Sequence, residues 1–346
     1  MKLPQNIWDL FAAHYEERLK EGEGIRIPPK LLSEVEQAVP AAVPGFYFDH
    51  PKLRAGNGPR ILYQGTKTKD VIILTHGFTD SPFYMQAIAE SFYKEGLNVV
   101  LPLLPAHGLK EPDELIRDEQ LDTQWRRTLD HSVEVAELLG DRISVGGFST
   151  GGALGLNKML RSPERIVGGL FLFSAALSLG KWVDRIGNNE WVEWTISFFM
   201  DQEAVPGDGP DPYKYPVLPL SVASEIVEII RENNQLLRKD GKWNSPVFAA
   251  HSKHDQTTPI RGVADFLDQF VPLEKQLFFE IEQEVMHASL PLQESVPIDL
   301  SKIGVDLKDE DCRKQKCEEW LRHVQANPLF GEMMEEALQF FRTQFN

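Results

Sequence analysis

Gly147-Phe148-Ser149-Thr150-Gly151 stands between the strand-like run Arg142-Ile143-Ser144-Val145 and a segment, 151–161, that reads as a helix. A serine flanked by glycines two positions away on both sides suits a sharp strand-to-helix turn. Such a turn strains the serine backbone, and side chains at the two glycine positions would clash. The strain lifts the hydroxyl clear of the chain at the carboxyl end of the strand. The helix that follows points its positive end, with free N–H groups, toward the same place.

Working outward, strands alternate with helices on both sides of this turn. Strands are expected at 46–49, 60–64, 70–75, 97–101, 142–147, 166–173, 246–250 and 276–281, with helices at 82–95, 121–139, 151–161 and 260–270. That alternation predicts an α/β class, with a mostly parallel central sheet and helices on both faces. Val71-Ile72-Ile73-Leu74 is apolar throughout, as a central strand buried on both sides should be. Between about 180 and 245 the alternation stops. Aromatic residues gather there, followed by a proline-rich loop at 205–219 and a helix at 221–237. The expected organisation is a helical N-terminal extension (1–45, with helices at 5–21 and 29–38), a catalytic core (46–179 and 246–346) and an inserted cap (180–245). A polar helix near 308–325 and a last helix at 330–343 close the chain. Met333, Met334, Leu338, Phe340 and Phe341 could pack on the sheet or on a second subunit. The oligomeric state is not readable.

Of the 346 residues 42% are hydrophobic and 25% charged, ordinary values for a globular chain. The net charge of −16 argues against a nucleic-acid partner, which would demand lysines and arginines for its phosphates. It argues equally against an anionic membrane surface. The longest apolar stretch, 166–179, is too short and too glycine-rich to span a bilayer. The two cysteines, Cys312 and Cys317, fall five apart on a helical stretch and would point to different faces. Reduced thiols and a cytoplasmic setting are expected.

A serine hydroxyl needs a base to become a nucleophile. In serine hydrolases built on such a strand–turn–helix, the partners follow in the order serine, acid, histidine. Four histidines come after Ser149. His287 sits on a loop beyond the last expected strand and can reach back over the sheet edge. His323 falls on a helix that reads as solvated and inert. The acid should follow the preceding strand, Pro246–Ala250, which selects Asp255. Its role would be to hold the His287 tautomer and stabilise the imidazolium; the bland alternative is a cap for the helix starting near Pro259. Metal ligation by His251, His254 and Asp255 is set aside, because no further ligands cluster nearby. The oxyanion needs two N–H donors. Thr150, directly after the serine, supplies one. Phe78, after the turn at Gly77, supplies the other. His76 precedes the serine and is read as a buried structural histidine.

Thr75-His76-Gly77-Phe78-Thr79-Asp80-Ser81-Pro82, Leu104-Pro105-Ala106-His107-Gly108, Gly147–Gly152, His254-Asp255 and Met286-His287 together resemble the bacterial carboxylesterase and monoacylglycerol-lipase group of α/β-hydrolases, with serine aminopeptidase-like hydrolases as close relatives. The resemblance runs over roughly residues 60 to 290. It implies an α/β-hydrolase fold, the triad Ser149, Asp255 and His287, the oxyanion donors Phe78 and Thr150, a cap over the site and no cofactor. The chain departs from the group at Ala106, where it usually has glycine.

The expected activity is hydrolysis of a small-molecule carboxylic ester through an acyl-enzyme. Trp182, Trp191, Trp194 and Phe198 are candidates for an apolar acyl pocket, or they only bury the cap against the core. The runner-up is amide or peptide hydrolysis by the same triad. A hydrolase fold used only for binding is the third reading, disfavoured by the intact serine, acid and histidine. Dehalogenase or epoxide hydrolase chemistry would require an aspartate where Ser149 stands.

Overall fold

Val71, Ile72, Ile73 and Leu74 divide between two buried clusters. Val71 and Ile73 pack into one, Ile72 and Leu74 into the other. The side chains of a strand alternate sides, so an all-apolar run means a sheet covered on both faces. The same division holds for Leu170 and Leu172 against Phe171 and Phe173, and for Val247 and Ala249 against Phe248 and Ala250. The structure is a computed structural model, and it describes residues 2–19, 26–35, 43–111, 120–177, 200–201, 209–216, 218–240, 243–303 and 310–345.

The sheet strands are β1 (Lys30–Leu31), β2 (Gly45–Tyr47), β3 (Arg60–Leu62), β4 (Thr68–Thr75), β5 (Asn98–Leu101), β6 (Gly140–Phe148) and β7 (Leu170–Phe173). A short separate pair, β8 (Met200–Asp201) and β9 (Leu218–Pro219), precedes β10 (Val247–Ser252) and β11 (Gln276–Ile281). Spatial order in the main sheet is β1-β2-β3-β5-β4-β6-β7-β10-β11. From β5 to β11 all neighbours run parallel, while β1, β2 and β3 add on antiparallel.

The helices are α1 (Gln5–Leu19), α2 (Gln86–Lys94), α3 (Leu121–Leu139), α4 (Thr150–Arg161), α5 (Leu220–Asp240), α6 (Ile260–Phe270), α7 (Glu310–His323) and α8 (Phe330–Phe345). Apolar residues of α1, α3, α4, α5 and α6 fill one cluster, and those of α2 and α8 the other. This is the α/β-hydrolase architecture. Within it Thr75 pairs with Gly147, and Ser252 pairs with Ile281. The loops after β4, β6, β10 and β11 therefore leave the sheet on the same side, at the carboxyl ends where α/β folds place their sites.

Three details differ from the sequence expectations or resolve them. The described part of the expected helix at 29–38, residues 29–35, does not begin an α-helix: Lys30 and Leu31 pair with Tyr47 and Phe46, and one 3-10 turn follows at Leu32–Glu34. Pro28 and Pro29 favour extended backbone there, and the sheet edge supplies partners. The strand expected from 166 starts at Leu170, because Val167 is exposed and the Gly168 N–H turns back to Ile143 O. Helix α8 buries Met333, Met334, Phe340 and Phe341 against the sheet. The N-terminal helix is also built in: Trp8, Phe11 and Tyr15 are buried, and Arg18 donates to Leu103 O at 3.1 Å. Among the described residues, no helix is long and apolar enough to cross a membrane.

Candidate active site

Strand β6 ends at Phe148, and α4 begins at Thr150. Ser149 between them has φ 52° and ψ −118°, a backbone conformation that costs free energy for any residue with a Cβ. The turn holds because Ser149 N–H donates to Phe173 O at 3.1 Å, and Ser149 O accepts from Gly152 and Ala176. The flanking glycines are steric necessities. A Cβ on Gly147 would lie 2.5 Å from Thr75 O, and one on Gly151 2.0 Å from the same atom.

Asp255 follows β10, and His287 follows β11 after a short loop. His287 Nδ1–H donates to Asp255 Oδ2 at 2.7 Å. Asp255 Oδ1 accepts the backbone N–H groups of Thr257 and Thr258, each at 2.9 Å, while Thr258 Oγ1–H reaches Oδ2 at 3.1 Å. His251 Nε2 lies 3.3 Å from Oδ2 and 2.9 Å from Thr258 O. Asp255 thus does both things considered for it: it organises the turn before α6 and it faces His287. Burial alone would raise its carboxyl pKa. His287 and the hydrogen bonds from His251 and His287 outweigh that and hold it well below the usual carboxylate range.

Ser149 and His287 line one cavity of about 50 Å³, with Phe78, Phe148, Thr257 and Ala288 also in its wall. The His287 ring packs on Phe148, centroids 4.6 Å apart. The hydroxyl and the imidazole share this space without a direct hydrogen bond; contacts of this kind tighten when substrate binds.

Phe78 follows Gly77 at the carboxyl end of β4. The Gly77 carbonyl, in the same peptide plane as the Phe78 N–H, accepts His76 Nδ1–H at 2.8 Å and Asp80 N–H at 3.3 Å. His76 Nε2 accepts the Leu104 N–H at 3.1 Å, which fixes the proton on Nδ1. Burial and the neighbouring His107 push the His76 pKa down to about 3, so the ring is neutral. One ring nitrogen of His107 lies 2.5 Å from Phe78 O, and the other 2.8 Å from Pro105 O. Ala106, where the resembled group usually has glycine, adopts φ 65° and preserves the turn. Among the described residues, neither the Phe78 nor the Thr150 N–H is taken up by a loop or turn carbonyl.

Two cavity residues, Lys214 and His323, carry no sequence signal. Lys214 Nζ pairs with Asp80 Oδ1 at 3.1 Å with both side chains buried, and the ammonium lies 4.9 Å from the Tyr84 ring centroid. Tyr84 in turn donates to Asp211. Tyr215 N–H donates to Thr79 O at 2.8 Å, which bolts the segment 209–216 onto the loop that carries Phe78. His323, read from sequence as solvated, is instead buried and faces the cavity. The polar pattern of α7 hid this, because an inward residue at the last position of a charged helix leaves no periodic trace. Trp182, Trp191, Trp194 and Phe198 lie outside the described residues.

The family profile described as Serine aminopeptidase, S33, matches residues 66–290. The chain belongs to this family. A thermostable monoacylglycerol lipase of Bacillus sp. (strain H-257) is 29% identical to this family member over 108 residues, 31% of the chain and 41% of that protein. Esterase YjfP of Escherichia coli (strain K12) is 32% identical over 102 residues, 27% of the chain and 40% of that protein. The matched stretch thus spans less than half the length of these curated relatives. A solved structure described with LipS and LipT, two metagenome-derived lipolytic enzymes, superposes with a TM-score of 0.55 at 21% identity, covering 89% of this chain and all of the other. At that identity the likeness concerns the fold.

Proposed function

We propose that the chain is a serine hydrolase of small carboxylic esters, with Ser149 as nucleophile, His287 as general base and acid, and Asp255 as the group that orients and charges against His287. The observation that carries this reading is the 2.7 Å contact from His287 Nδ1 to a buried, ionised Asp255, made on the wall of the cavity that also holds the strained Ser149. With Nδ1 engaged as donor, Nε2 is left as the nitrogen that can accept a proton, on the side that can face the hydroxyl.

In the first half-reaction His287 Nε2 takes the Ser149 proton as Oγ bonds to the ester carbonyl carbon. The carbonyl electrons move onto oxygen, and the N–H groups of Phe78 and Thr150 stabilise that charge. Collapse expels the alcohol, which leaves with the proton returned by His287, and the acyl group remains on Ser149. Water then repeats the sequence and releases the acid. Phe78 and Phe148 on the cavity wall favour an apolar acyl group. Lys214 and Tyr215, which reach the cavity and its oxyanion loop from within 180–245, support reading that stretch as a cap.

Amide or peptide hydrolysis is the second reading, favoured by the family's description as serine aminopeptidases. Turnover of p-nitrophenyl esters set against aminoacyl p-nitroanilides, each with a Ser149→Ala control, tests both. Ester turnover that needs Ser149 and exceeds anilide turnover is expected. The reverse ranking would favour the amide reading, and an S149A enzyme with near-normal ester turnover would refute both.

A further inference from the structure

We propose that His323 limits the size of the acyl group this site accepts, restricting it to short, uncharged chains. The proposal rests on the ester-hydrolase reading above and adds the substrate class. Of the described residues that line the cavity beside Ser149, only His323 comes from beyond residue 290, where the family match ends.

Its placement is built rather than incidental. Ser289, in the 3-10 turn that starts at His287, donates through Oγ to the carbonyls of Arg322 and His323 at 3.2 and 3.3 Å. Val296 N–H donates to Val324 O at 2.9 Å, and Asn327 bonds Leu292 O and Leu290 O at 2.8 and 3.0 Å. The end of α7 is therefore fastened to the loop that carries His287, and the two imidazoles are presented to one cavity from one platform.

Size decides the consequence. The cavity is small, about 50 Å³, a few times the space that one water needs, so the His323 ring in its wall takes up room that a longer acyl chain would use. Charge decides the rest. Lys214 and Asp80 neutralise each other within the wall. Burial, with the nearby Lys214 and His287, keeps His323 uncharged at neutral pH. Among the described residues, the wall carries no net charge from this pair or from His323 to favour an ionic acyl group. Truncating the His323 ring removes a side chain that lines the cavity, so it should enlarge the space open to the acyl group.

The test compares kcat/KM for p-nitrophenyl acetate, butyrate, hexanoate and octanoate on the full chain and its variants. The wild type should lose at least about tenfold between butyrate and octanoate. His323→Ala should raise the octanoate-to-acetate ratio by about tenfold or more, the scale on which a hydrophobic pocket resolves chain length. His323→Phe, which is larger, should lower the butyrate-to-acetate ratio, and His323→Gln should restore the wild-type profile. A general loss of structure would scale all esters together and leave the ratios unmoved. A wild type that prefers octanoate, or ratios unchanged in both H323A and H323F, would overturn the proposal while leaving ester hydrolysis intact. Absence of any Ser149-dependent ester turnover would instead bring down the underlying reading, and this one with it.

Discussion

His287 and Asp255, 32 positions apart in sequence, meet through a 2.7 Å hydrogen bond in which Asp255 also accepts two backbone N–H groups. The carboxylate is thus fixed before the histidine arrives, and the bond sets which imidazole nitrogen carries the proton. Asp255→Asn would present an amide that can donate, and the ring would turn its Nδ1 lone pair toward it. The proton would then sit on Nε2, the nitrogen needed as base. Turnover should fall by about four orders of magnitude, as in other triads, with KM far less affected. Steady-state kinetics on p-nitrophenyl acetate measures both, and a loss of less than about tenfold would contradict the role.

The Lys214–Asp80 pair makes a different prediction. Burial acts to raise the Asp80 carboxyl pKa, and Lys214, His76 and His287 overcome it, leaving Asp80 ionised below its ordinary value. Removing the lysine leaves a buried charge uncompensated, which typically costs about 3–5 kcal/mol. Lys214→Met should therefore lower chemical-denaturation stability by that order. The double variant Lys214→Met with Asp80→Asn should recover part of it. A double-mutant cycle with no coupling would show that the pair does not hold the loop that carries Phe78.

Little of this network was legible in the sequence. The elbow, the strand alternation and the meeting of Asp255 with His287 were, because each depends on residues close together or on chain order within a single fold. Lys214, Asp211 and His323 were not. Lys214 and His323 reach the cavity from a proline-rich loop and from the end of a charged helix, Asp211 accepts from the Tyr84 hydroxyl, and only tertiary placement makes them matter. The N-terminal segment was legible as a helix, but its burial of Trp8, Phe11 and Tyr15 against the core was not, since amphipathicity does not name a partner. The expected helix at 29–38 failed for a related reason: pairing of Lys30 and Leu31 at the sheet edge overrode local preference.

Buried histidines set the acid response. Burial, chiefly, pushes His14 and His76 down to about 3 and His323 to about 4. In the unfolded chain the same rings take up protons near pH 6.5. The unfolded state therefore binds more protons than the native state between about pH 6.5 and 4, and stability falls as pH drops through that window. Each histidine contributes a slope of about 1.4 kcal/mol per pH unit there. Asp255, with its depressed pKa, adds stability that is present above the unfolded carboxyl pKa and lost only at lower pH. Tm measured from pH 8 down to pH 4 should stay flat to about 6.5 and then decline steeply. A flat profile to pH 4 would mean these rings are not held neutral in the fold.

The most direct test of the central assignment is covalent. Treatment with a fluorophosphonate, followed by digestion and mass spectrometry, should place one label on the peptide containing Ser149. The label should be absent from S149A and slowed by orders of magnitude in a His287→Ala variant. Label found on another residue, or undiminished in S149A, would contradict the account.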